Sequence, residues 1–296
     1  MNTRILLLGS GGQLGNELKK KIGTLGIIKS CDRNTCDLDN FKELETIIND
    51  FKPEIIVNAA AYTKVDEAEE NTSLAFRINQ KAIEFLSEIS LKRKIWFIHY
   101  STDYVFDGKK KNSYKESDKT NPLNIYGQSK LGGEEALKRS KCNFIIFRTT
   151  WVYGEHGLNF IKTIKKLACN NDCLNIINDQ LGVPTSTKLI CKVTMSLIKD
   201  IIKKNYWDIG IYNLVPNGLS NWYELAKLIA YIGKDEMNLD QFKHLKINPI
   251  PSSHYKTAAK RPLNSQLDNN KLQKKLKFQI PNWKDEFIAT AFKILE

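Results

Sequence analysis

The sequence predicts an α/β fold in which a doubly wound parallel sheet is followed by a smaller C-terminal α/β lobe. Short apolar segments alternate with helix-length segments through about the first 150 residues, the pattern of strands buried on both faces of a parallel sheet. The first of these segments, Ile5–Leu8, leads directly into a glycine-rich turn. Beyond Arg148 the alternation loosens and turn residues become frequent, which indicates a second lobe packed on the first.

The glycine-rich turn, Gly9-x-x-Gly12-x-x-Gly15, is typical of a Rossmann-type dinucleotide-binding sheet. Glycine lets the backbone approach a pyrophosphate closely, and the N-terminus of the following helix presents unpaired N–H groups and a partial positive charge. Asp32 follows the next apolar segment, twenty residues after Gly12. A carboxylate at about this distance meets the ribose of the adenosine. We therefore predict that this turn binds a dinucleotide.

The same pattern extends along the chain and divides it in two. We expect residues 1–150 to form the dinucleotide-binding domain and residues 151–296 to form mainly the substrate-binding lobe, with later segments crossing back. Strands are predicted at Ile27–Cys31, Glu54–Asn58, Ile95–His99, Asn143–Phe147 and Leu174–Ile177. Helices are predicted from Glu17 onward and at Phe41–Phe51, Thr72–Leu91, Tyr126–Arg139, Phe160–Leu167, Leu189–Lys203, Trp222–Ile232 and Trp283–Leu295.

The composition argues against several other classes of protein. The formal net charge is +12, from 45 Lys and Arg against 33 Asp and Glu, which suits an anionic ligand. No zinc-finger, homeodomain or RNA-recognition motif accompanies this charge, so we expect a lysine-rich surface and no nucleic-acid partner. No apolar run reaches the roughly 18 residues of a membrane span, and the run before Gly9 is too short for a signal peptide. We expect a cytoplasmic protein with no membrane partner.

The cysteines agree with a protein of the reducing cytoplasm. The chain has six of them, with no C-x-x-C pair and no histidine at ligand spacing. We expect them to be small buried side chains that remain reduced.

Tyr126 and Lys130 form the second informative feature, since four residues apart on a helix they share one face. An ammonium close to a phenol favours the phenolate and lowers the pKa of the tyrosine. Such a tyrosine can protonate a carbonyl oxygen during hydride transfer. Tyr223 and Lys227 have the same spacing, so the spacing alone is equally typical of an ordinary surface contact.

The surrounding sequence distinguishes the two pairs. Ile95–His99 precedes Tyr126, and it is followed by hydroxyl-bearing residues that include Ser101 and Thr102. Such residues would lie at the carboxyl end of a sheet strand, where these folds bind ligands. Neighbours on an extended segment point to opposite faces, so Ser101 and Thr102 are competing candidates. Tyr223 has no comparable strand end before it, and we therefore place the chemistry at Tyr126.

Longer motifs run in one order along nearly the whole chain and are far more specific than any of these features alone. In the first half they are Gly9-x-x-Gly12-Gln13-Leu14-Gly15, Val57-Asn58-Ala59-Ala60-Ala61-Tyr62-Thr63-x-Val65-Asp66, His99-Tyr100-Ser101-Thr102-Asp103-Tyr104-Val105-Phe106 and Pro122-Leu123-Asn124-x-Tyr126-Gly127 with Lys130. In the second half they are Phe147-Arg148-Thr149-x-Trp151-Val152-Tyr153, Asn178-Asp179-Gln180-x-Gly182-x-Pro184-Thr185 and Arg261-Pro262-x-Asn264-Ser265. On these motifs the chain resembles the extended short-chain dehydrogenase/reductases.

The resemblance implies a role for each matched position. Tyr126 would protonate the C4 oxygen of a sugar, and Thr102, rather than Ser101, would hydrogen-bond the same oxygen. Lys130 would hold the nicotinamide ribose and lower the pKa of Tyr126. Asp103 and Trp151 would contact the deoxysugar. The further cofactor-binding positions that it implies are Gly9, Gly12, Gln13, Leu14, Asp32, Asp37, Leu38, Ala61, Tyr62, Thr63 and Tyr100.

Several of these residues also fit a purely structural interpretation. Trp151 and Phe106 are also typical of aromatic residues in a hydrophobic core. Asp37 is also typical of the N-cap of the helix that follows it. Arg261 is our candidate for the nucleotide diphosphate, because a guanidinium grips phosphate oxygens bidentately. An ordinary surface arginine is its structural alternative.

The choice of cofactor stays open between NADH and NADPH. Asp32 can hydrogen-bond the ribose hydroxyls of NADH and should repel a 2′-phosphate, whereas Arg33 can accommodate NADPH. Some members of the family carry magnesium between subunits, through carboxylates such as the one matching Glu17. Near a second such position this chain has Lys188, which reverses the charge, so we expect no metal. We expect a monomer or a homodimer.

The resemblance implies reduction of the C4 keto group of dTDP-4-dehydro-β-L-rhamnose to dTDP-β-L-rhamnose, for cell-surface polysaccharide, with NADPH or NADH as the hydride donor. One alternative is a reductase of another nucleotide-activated 4-ketosugar. A different class of alternative is a non-catalytic NAD(P)-binding regulatory subunit of the same fold. Such proteins typically lose the tyrosine or the lysine, and this chain retains both Tyr126 and Lys130.

Overall fold

A computed structural model describes residues 3–205 and 207–296 and contains one large parallel sheet with helices on both faces. The strands in chain order are β1 (Arg4–Leu8), β2 (Ile27–Cys31), β3 (Ile55–Asn58), β4 (Trp96–Thr102), β5 (Phe144–Thr149), β6 (Val152–Tyr153), β7 (Cys173–Ile177), β8 (Leu181–Gly182), β9 (Thr185–Ser186), β10 (Gly210–Asn213), β11 (Ser220–Asn221) and β12 (Lys246–Ile250). The six-stranded sheet has the order β10-β5-β4-β3-β1-β2, and every pairing in it is parallel. The predicted doubly wound α/β fold is confirmed.

The order of the strands in the sheet indicates where a ligand crevice lies. β1 pairs with β2 on one side and with β3 on the other, so the winding reverses between β1 and β3. In open α/β sheets, ligands bind at the carboxyl ends of the strands that flank this reversal. The glycine turn follows β1 directly, and the loop at 59–64 follows β3.

The helices are α1 (Gln13–Ile22), α2 (Phe41–Phe51), α3 (Val65–Glu70), α4 (Thr72–Phe76), α5 (Ala82–Arg93), α6 (Ile125–Ser140), α7 (Phe160–Ala168), α8 (Thr187–Ile202), α9 (Trp222–Tyr231), α10 (Asn270–Gln273) and α11 (Trp283–Leu295). Two predictions are corrected. α1 begins at Gln13 rather than at Glu17, since Gly12 is its N-cap. The predicted helix Thr72–Leu91 is divided by a π-helical turn, Arg77–Lys81, which joins α4 to α5. Within the described ranges, no helix combines the length and apolar character that crossing a membrane requires.

The core follows from the alternation of side chains along the strands. Ile5 and Leu7 pack into a cluster on one face of the sheet, and Leu6 and Leu8 pack into another on the opposite face. α8 packs beside α1 on the first face, and a third cluster lies beneath the later helices. Four cysteines are buried as expected, but Cys169 and Cys173 are exposed, which corrects that prediction.

β10 is the element of the sheet that sequence analysis missed. It has four residues and lies at the edge beside β5, with Tyr212 fully buried. An apolar run of this length is too short to show the alternation or helical period that identifies an element. The burial of β10 depends on its neighbour β5.

Candidate active site

The glycine turn is shaped by close backbone contacts. Gly9 has φ +80°, and a Cβ there would lie 2.5 Å from the backbone nitrogen of Ala60. A Cβ on Gly15 would lie 2.0 Å from the carbonyl oxygen of Gly9, so only glycine lets α1 pack against the turn. Gly12 differs, because a Cβ there would meet its nearest atom, Gly9 O, at 3.4 Å. A Cβ at Gly12 would thus make only an ordinary van der Waals contact with the turn.

The start of α1, beside Gly12, fits a pyrophosphate. No side chain in the described part of the protein caps the start of α1, so its first N–H groups keep their positive potential. The side-chain oxygen of Gln13, the first residue of α1, is buried and lacks a hydrogen-bond partner among the described residues. Leu14, the next residue, packs partly buried against the core. The turn thus presents a cradle of N–H groups with an unpaired polar atom beside it.

The residues implied for the adenosine lie at the end of β2. Asp32 accepts hydrogen bonds at Oδ1 from the Asn34 and Thr35 backbone N–H groups and from the Thr35 hydroxyl, which lower its pKa and keep it ionised. Arg33 is well exposed, with its Nε 3.9 Å from Asp37 Oδ2. A carboxylate and an exposed guanidinium thus lie side by side, so both NADH and NADPH remain compatible with this end.

Asp37 and Leu38 continue this segment. Asp37 Oδ1 accepts from the backbone N–H of Asp39, whereas the N-cap of α2 is Asn40, whose side chain accepts from Glu43 N. The N-cap interpretation of Asp37 is therefore wrong. Leu38 is buried in the core.

Asn79 holds the loop that follows β3, where Ala61, Tyr62 and Thr63 lie. Its amide accepts from Tyr62 N at 2.9 Å, donates to Tyr62 O at 3.0 Å, and donates to the Ser129 hydroxyl at 3.0 Å. Ser129 donates in turn to the carbonyl of Tyr126 at 2.8 Å. One buried amide in the π-helical turn therefore ties the cofactor-side loop to the helix that carries Tyr126.

Thr102, Asp103 and Tyr126 come together at the end of β4. Thr102 donates a hydrogen bond to Asp103 Oδ1 at 3.1 Å, and it is also the residue whose hydroxyl acts to lower the pKa of Tyr126. Asp103 Oδ2 is buried, with no partner in the part of the chain that the structure describes, and burial raises the pKa of this carboxyl to about 7. Ser101 has a buried hydroxyl that likewise finds no described partner.

Lys130 lies one turn beyond Tyr126 on α6 and is 2% exposed. Its side-chain nitrogen donates to the carbonyl of Tyr100 at 2.7 Å and lies 3.2 Å from His99 Nε2. The side chain of Tyr100 is buried, with its hydroxyl 2.7 Å from Thr194 Oγ1, so Tyr100 offers its backbone rather than its ring to the crevice.

The expected effect of Lys130 on Tyr126 is not present in this state. Burial raises the pKa of Tyr126 above its ordinary value, and Asp103 adds to the rise, while the hydrogen bond to Thr102 opposes it. Burial also lowers the pKa of Lys130 to about 8, which weakens the charge that was expected to act on the phenol. The predicted lowering of the tyrosine pKa is not found here, because desolvation is the largest effect on Tyr126 and Lys130 is not among the groups that act on it.

Trp151 lies at the opposite side of the site and is only partly buried. Its ring stacks on Trp222 with centroids 4.0 Å apart, and Trp222 Nε1 donates to Gln180 Oε1 at 3.2 Å. A Cβ on Gly182 would come within 2.6 Å of the Trp151 ring. Trp151 has φ +42°, a conformation that side chains rarely adopt and that this packing maintains. The core interpretation therefore holds for Phe106, which is 1% exposed, and Trp151 packs against the same core cluster but keeps part of its surface exposed.

Arg261 is held in a defined position rather than lying free on the surface. Its guanidinium forms a bidentate pair with Asp66 of α3, at 3.1 Å and 2.5 Å, and also donates to Ala259 O. The pair joins a late loop to the dinucleotide-binding half of the chain. One edge of the guanidinium is thus engaged by a half-exposed carboxylate, an arrangement compatible with a diphosphate ligand and with an ordinary surface arginine alike.

The region matching the magnesium position of some family members is organised by lysines. Lys188, in the first turn of α8, pairs with Glu155 at 3.0 Å, and Lys293 pairs with the same carboxylate at 3.2 Å. Across the described residues, no group of three or more His, Cys, Asp or Glu side chains could hold a metal. Two lysines therefore neutralise the carboxylate that lies there, Glu155.

Sequence reasoning missed three residues that complete this site. Trp222 supports Trp151, Asn79 joins the loop after β3 to α6, and His99 contacts Lys130. Each contact joins segments that are far apart in sequence, so no local pattern could have indicated them. The signal in the sequence was that Asn79 and His99 are polar residues within a predicted helix and a predicted strand.

A dinucleotide cradle at the switch point of a parallel sheet, with a threonine, a tyrosine and a lysine beside it, defines an extended short-chain dehydrogenase/reductase. Residues 3–294 match the family model of the RmlD substrate binding domain, and the chain belongs to this family.

Named proteins are similar over nearly the full chain. dTDP-4-dehydrorhamnose reductase of Aggregatibacter actinomycetemcomitans is 38% identical over 282 residues, covering 95% of both chains. The enzyme of the same name from Escherichia coli strain K12 is 38% identical over 287 residues, covering 94% of both. The crystal structure of dTDP-4-dehydrorhamnose reductase from Bacillus anthracis in complex with NADP superposes with a TM-score of 0.88 at 31% identity, covering 99% of each chain.

Proposed function

We propose that the protein is an NAD(P)H-dependent dTDP-4-dehydrorhamnose reductase, which reduces the C4 keto group of dTDP-4-dehydro-β-L-rhamnose to give dTDP-β-L-rhamnose. The observation that carries the proposal is the convergence of Thr102, Tyr126 and Lys130 at the carboxyl edge of the sheet, beside the glycine turn. Relatives of that name match the chain over nearly its whole length.

The residues around the cradle suit a nicotinamide dinucleotide, which supplies a hydride when bound. The backbone at Gly9, Gly12, Gln13 and Leu14 would hold the pyrophosphate, since the N–H groups at the start of α1 have no side-chain cap. The remaining contacts are proposed at Asp32, Asp37, Leu38, Ala61, Tyr62, Thr63, Tyr100, Tyr126 and Lys130. Asp32 and Arg33 leave NADH and NADPH as alternatives.

Tyr126 provides the proton for the sugar C4 oxygen. The Thr102 hydroxyl donates its only hydrogen to Asp103 in the cofactor-free protein. When the sugar is bound, Thr102 would instead hydrogen-bond the C4 oxygen to which Tyr126 gives its proton. Because burial raises the pKa of this phenol, Tyr126 holds its proton until negative charge develops on the oxygen.

Trp151, Asp103 and Arg261 are our candidates for binding the sugar nucleotide. The exposed part of the Trp151 ring offers a flat apolar face to one side of a deoxysugar, and Trp222 fixes its orientation. The unpartnered oxygen of Asp103 can accept from, or when protonated donate to, a sugar oxygen. The guanidinium of Arg261, oriented by Asp66, can bind diphosphate oxygens.

A coupled assay tests the proposal. The purified chain is given dTDP-4-dehydrorhamnose with NADPH or with NADH, and the absorbance of the reduced nicotinamide is followed while the product is identified by chromatography. Formation of dTDP-rhamnose supports the proposal. Turnover only with another nucleotide-activated 4-ketosugar would replace the substrate, and cofactor binding without turnover of any of them would make the chain a non-catalytic relative.

Further properties belong to the same proposal. We place the reaction in the cytoplasm, with a monomer or a homodimer as the functional unit. We also propose that residues 1–150 bind chiefly the cofactor and that residues 151–296 bind chiefly the sugar.

A further inference from the structure

His99 is a buried titratable residue to which the proposed reaction assigns no role. It lies on β4 and is 1% exposed. Its Nδ1 is 3.2 Å from the Asn58 side-chain nitrogen, and its Nε2 is 3.2 Å from Lys130 Nζ. Asn58 lies directly opposite it on β3. These three side chains form a buried row, the Asn58–His99–Lys130 row, which ends at the candidate active site.

The first contact of the row determines the tautomer of His99. Asn58 Oδ1 accepts from the backbone N–H of Ala60 at 3.1 Å. A backbone N–H can only donate, so the amide oxygen of Asn58 lies on that side and its NH₂ group faces the imidazole. His99 Nδ1 is therefore an acceptor, and the neutral ring carries its proton on Nε2.

The second contact determines the protonation state of Lys130. The Nε2–H of His99 points at Lys130 Nζ, and an ammonium has three donors and no lone pair with which to accept it. A neutral amine can accept from His99 and still donate to Tyr100 O, which lies 2.7 Å away. Every hydrogen bond of the row is satisfied only when Lys130 is neutral.

We propose that His99, oriented by Asn58, is a positioning residue that favours the neutral amine of Lys130 in the protein before the cofactor binds. This inference deepens the proposed function and rests on it for its effect on turnover. A hydrogen bond given to the neutral form of a group disfavours its charged form, and burial acts on Lys130 in the same direction. Burial alone lowers the pKa of Lys130 to about 8, and the hydrogen bond from His99 acts in addition to it.

Other charged groups near the row do not reverse this preference. Glu134, one turn further along α6, favours the ammonium, but Arg148 of β5 holds its carboxylate with bonds of 2.9 Å and 2.6 Å. The pKa of His99 is lowered well below its usual range by burial and by Lys130, so the ring stays neutral. The elements packed against α6 carry further ionisable groups: Glu69 on Ile125 N, Asp103 at Thr102, Tyr104 beside Tyr126, and Glu84 with Lys81 and with Arg139 of α6 itself. Also on these elements are Asp66, Glu67 and Glu70 on α3, Arg77 in the π-helical turn, and Glu88, Lys92 and Arg93 on α5.

The tautomer of His99 can be measured without substrate or cofactor. The full chain, labelled with ¹⁵N at histidine, is studied by two-dimensional NMR at about pH 8.5, where Lys130 is expected to be largely neutral. We expect the His99 signals to be those of a neutral ring with the proton on Nε2, and His99→Gln identifies which signals these are. A ring protonated on Nδ1, or on both nitrogens, overturns the proposal whatever the activity of the protein.

The pH profile of kcat/KM for NADPH provides the second measurement, because it reports ionisations of the cofactor-free protein. We expect activity to fall as Lys130 loses its proton, and His99→Leu to move that midpoint upward by about 0.5–1 pH unit. His99→Gln keeps a donor N–H toward Lys130 and should retain the wild-type midpoint.

The outcomes separate this proposal from the proposed function. Identical midpoints in the wild type and in His99→Leu overturn the role of His99. If His99→Leu does not fold, a His99→Gln midpoint shifted upward by a full unit does the same. If the wild type turns over no 4-ketosugar, the proposed function fails, and the NMR measurement alone decides the role of His99.

Discussion

Tyr126 with Lys130 and Tyr223 with Lys227 have the same spacing on two helices, but the two pairs lie in opposite environments. Lys130 is 2% exposed, donates to a backbone carbonyl and contacts His99. The Lys227 side chain is 45% exposed, pairs with Glu224 at 3.0 Å, and has its Nζ 4.6 Å from the centroid of the Tyr223 ring.

The electrostatic consequences are opposite as well. Burial lowers the pKa of Lys130 to about 8, whereas the hydrogen bond from Lys227 to Glu224 raises the pKa of Lys227. The spacing brings a phenol and an amine to one helical face in both places. What differs is the strand end, β4, that lies against α6 and supplies Thr102, Asp103 and His99. Chemistry therefore depends on what the helical face packs against.

Replacing the tyrosine of each pair gives the largest expected difference. In Tyr126→Phe, kcat should fall by about 10²–10⁴, because the proton donor to the C4 oxygen is lost. In Tyr223→Phe, kcat should not change. NADPH oxidation in the presence of the 4-ketosugar measures both. Retained NADPH affinity in Tyr126→Phe is the control for folding, and equal losses in the two variants would contradict the comparison.

The ion pairs beside the two lysines should differ in stability. Glu134 and Arg148 are 0% and 1% exposed, and Arg148→Met would leave Glu134 buried without its partner, at a cost of about 3–5 kcal/mol. Lys227→Met breaks an exposed pair and should cost at most about 1 kcal/mol.

Urea unfolding of the two variants measures both costs. The double variant Glu134→Gln with Arg148→Met removes the stranded charge and should recover part of the loss. A cost for Arg148→Met no larger than that for Lys227→Met would show that the buried pair does not stabilise α6 against β5.

Asp103, which lies beside the Tyr126 pair, should make the stability of the protein depend on pH. Burial raises its pKa to about 7, so between about pH 4 and pH 7 the folded chain keeps a proton that the unfolded chain releases. The stabilisation of the folded chain by this proton is therefore present below about pH 4 and is lost as the pH rises from about 4 to about 7. The free energy of unfolding falls by up to about 4 kcal/mol over this range. Asp103→Asn should remove this dependence and be more stable than the wild type above about pH 7.

Denaturation midpoints of both proteins at several pH values test this prediction. The difference between the two curves isolates Asp103 from the other titrating groups. A difference that is constant from acidic to neutral pH would mean that Asp103 titrates near its ordinary value.

The sequence predicted the elements whose patterns are local. The strand Ile27–Cys31 and the helix Phe41–Phe51 are observed with the predicted bounds, because an apolar run or a helical period identifies each one without reference to its neighbours. β10 escaped prediction because its burial comes from β5. The direction of the Tyr126 pKa shift was wrong for a related reason, since desolvation is a property of the assembled site.

The smallest predicted effect concerns Trp222, which begins the helix that also carries Tyr223. Trp222 packs inward on Trp151, whereas Tyr223 and Lys227 form the surface pair of the same helix. In Trp222→Leu the stacked partner of Trp151 is lost, and an aromatic pair contributes about 0.5–1.5 kcal/mol beyond its buried area. We expect KM for the sugar nucleotide to rise by about 2–10-fold, with KM for NADPH unchanged. A parallel rise in both constants would mean that Trp222 acts through general stability rather than by orienting Trp151 toward the sugar.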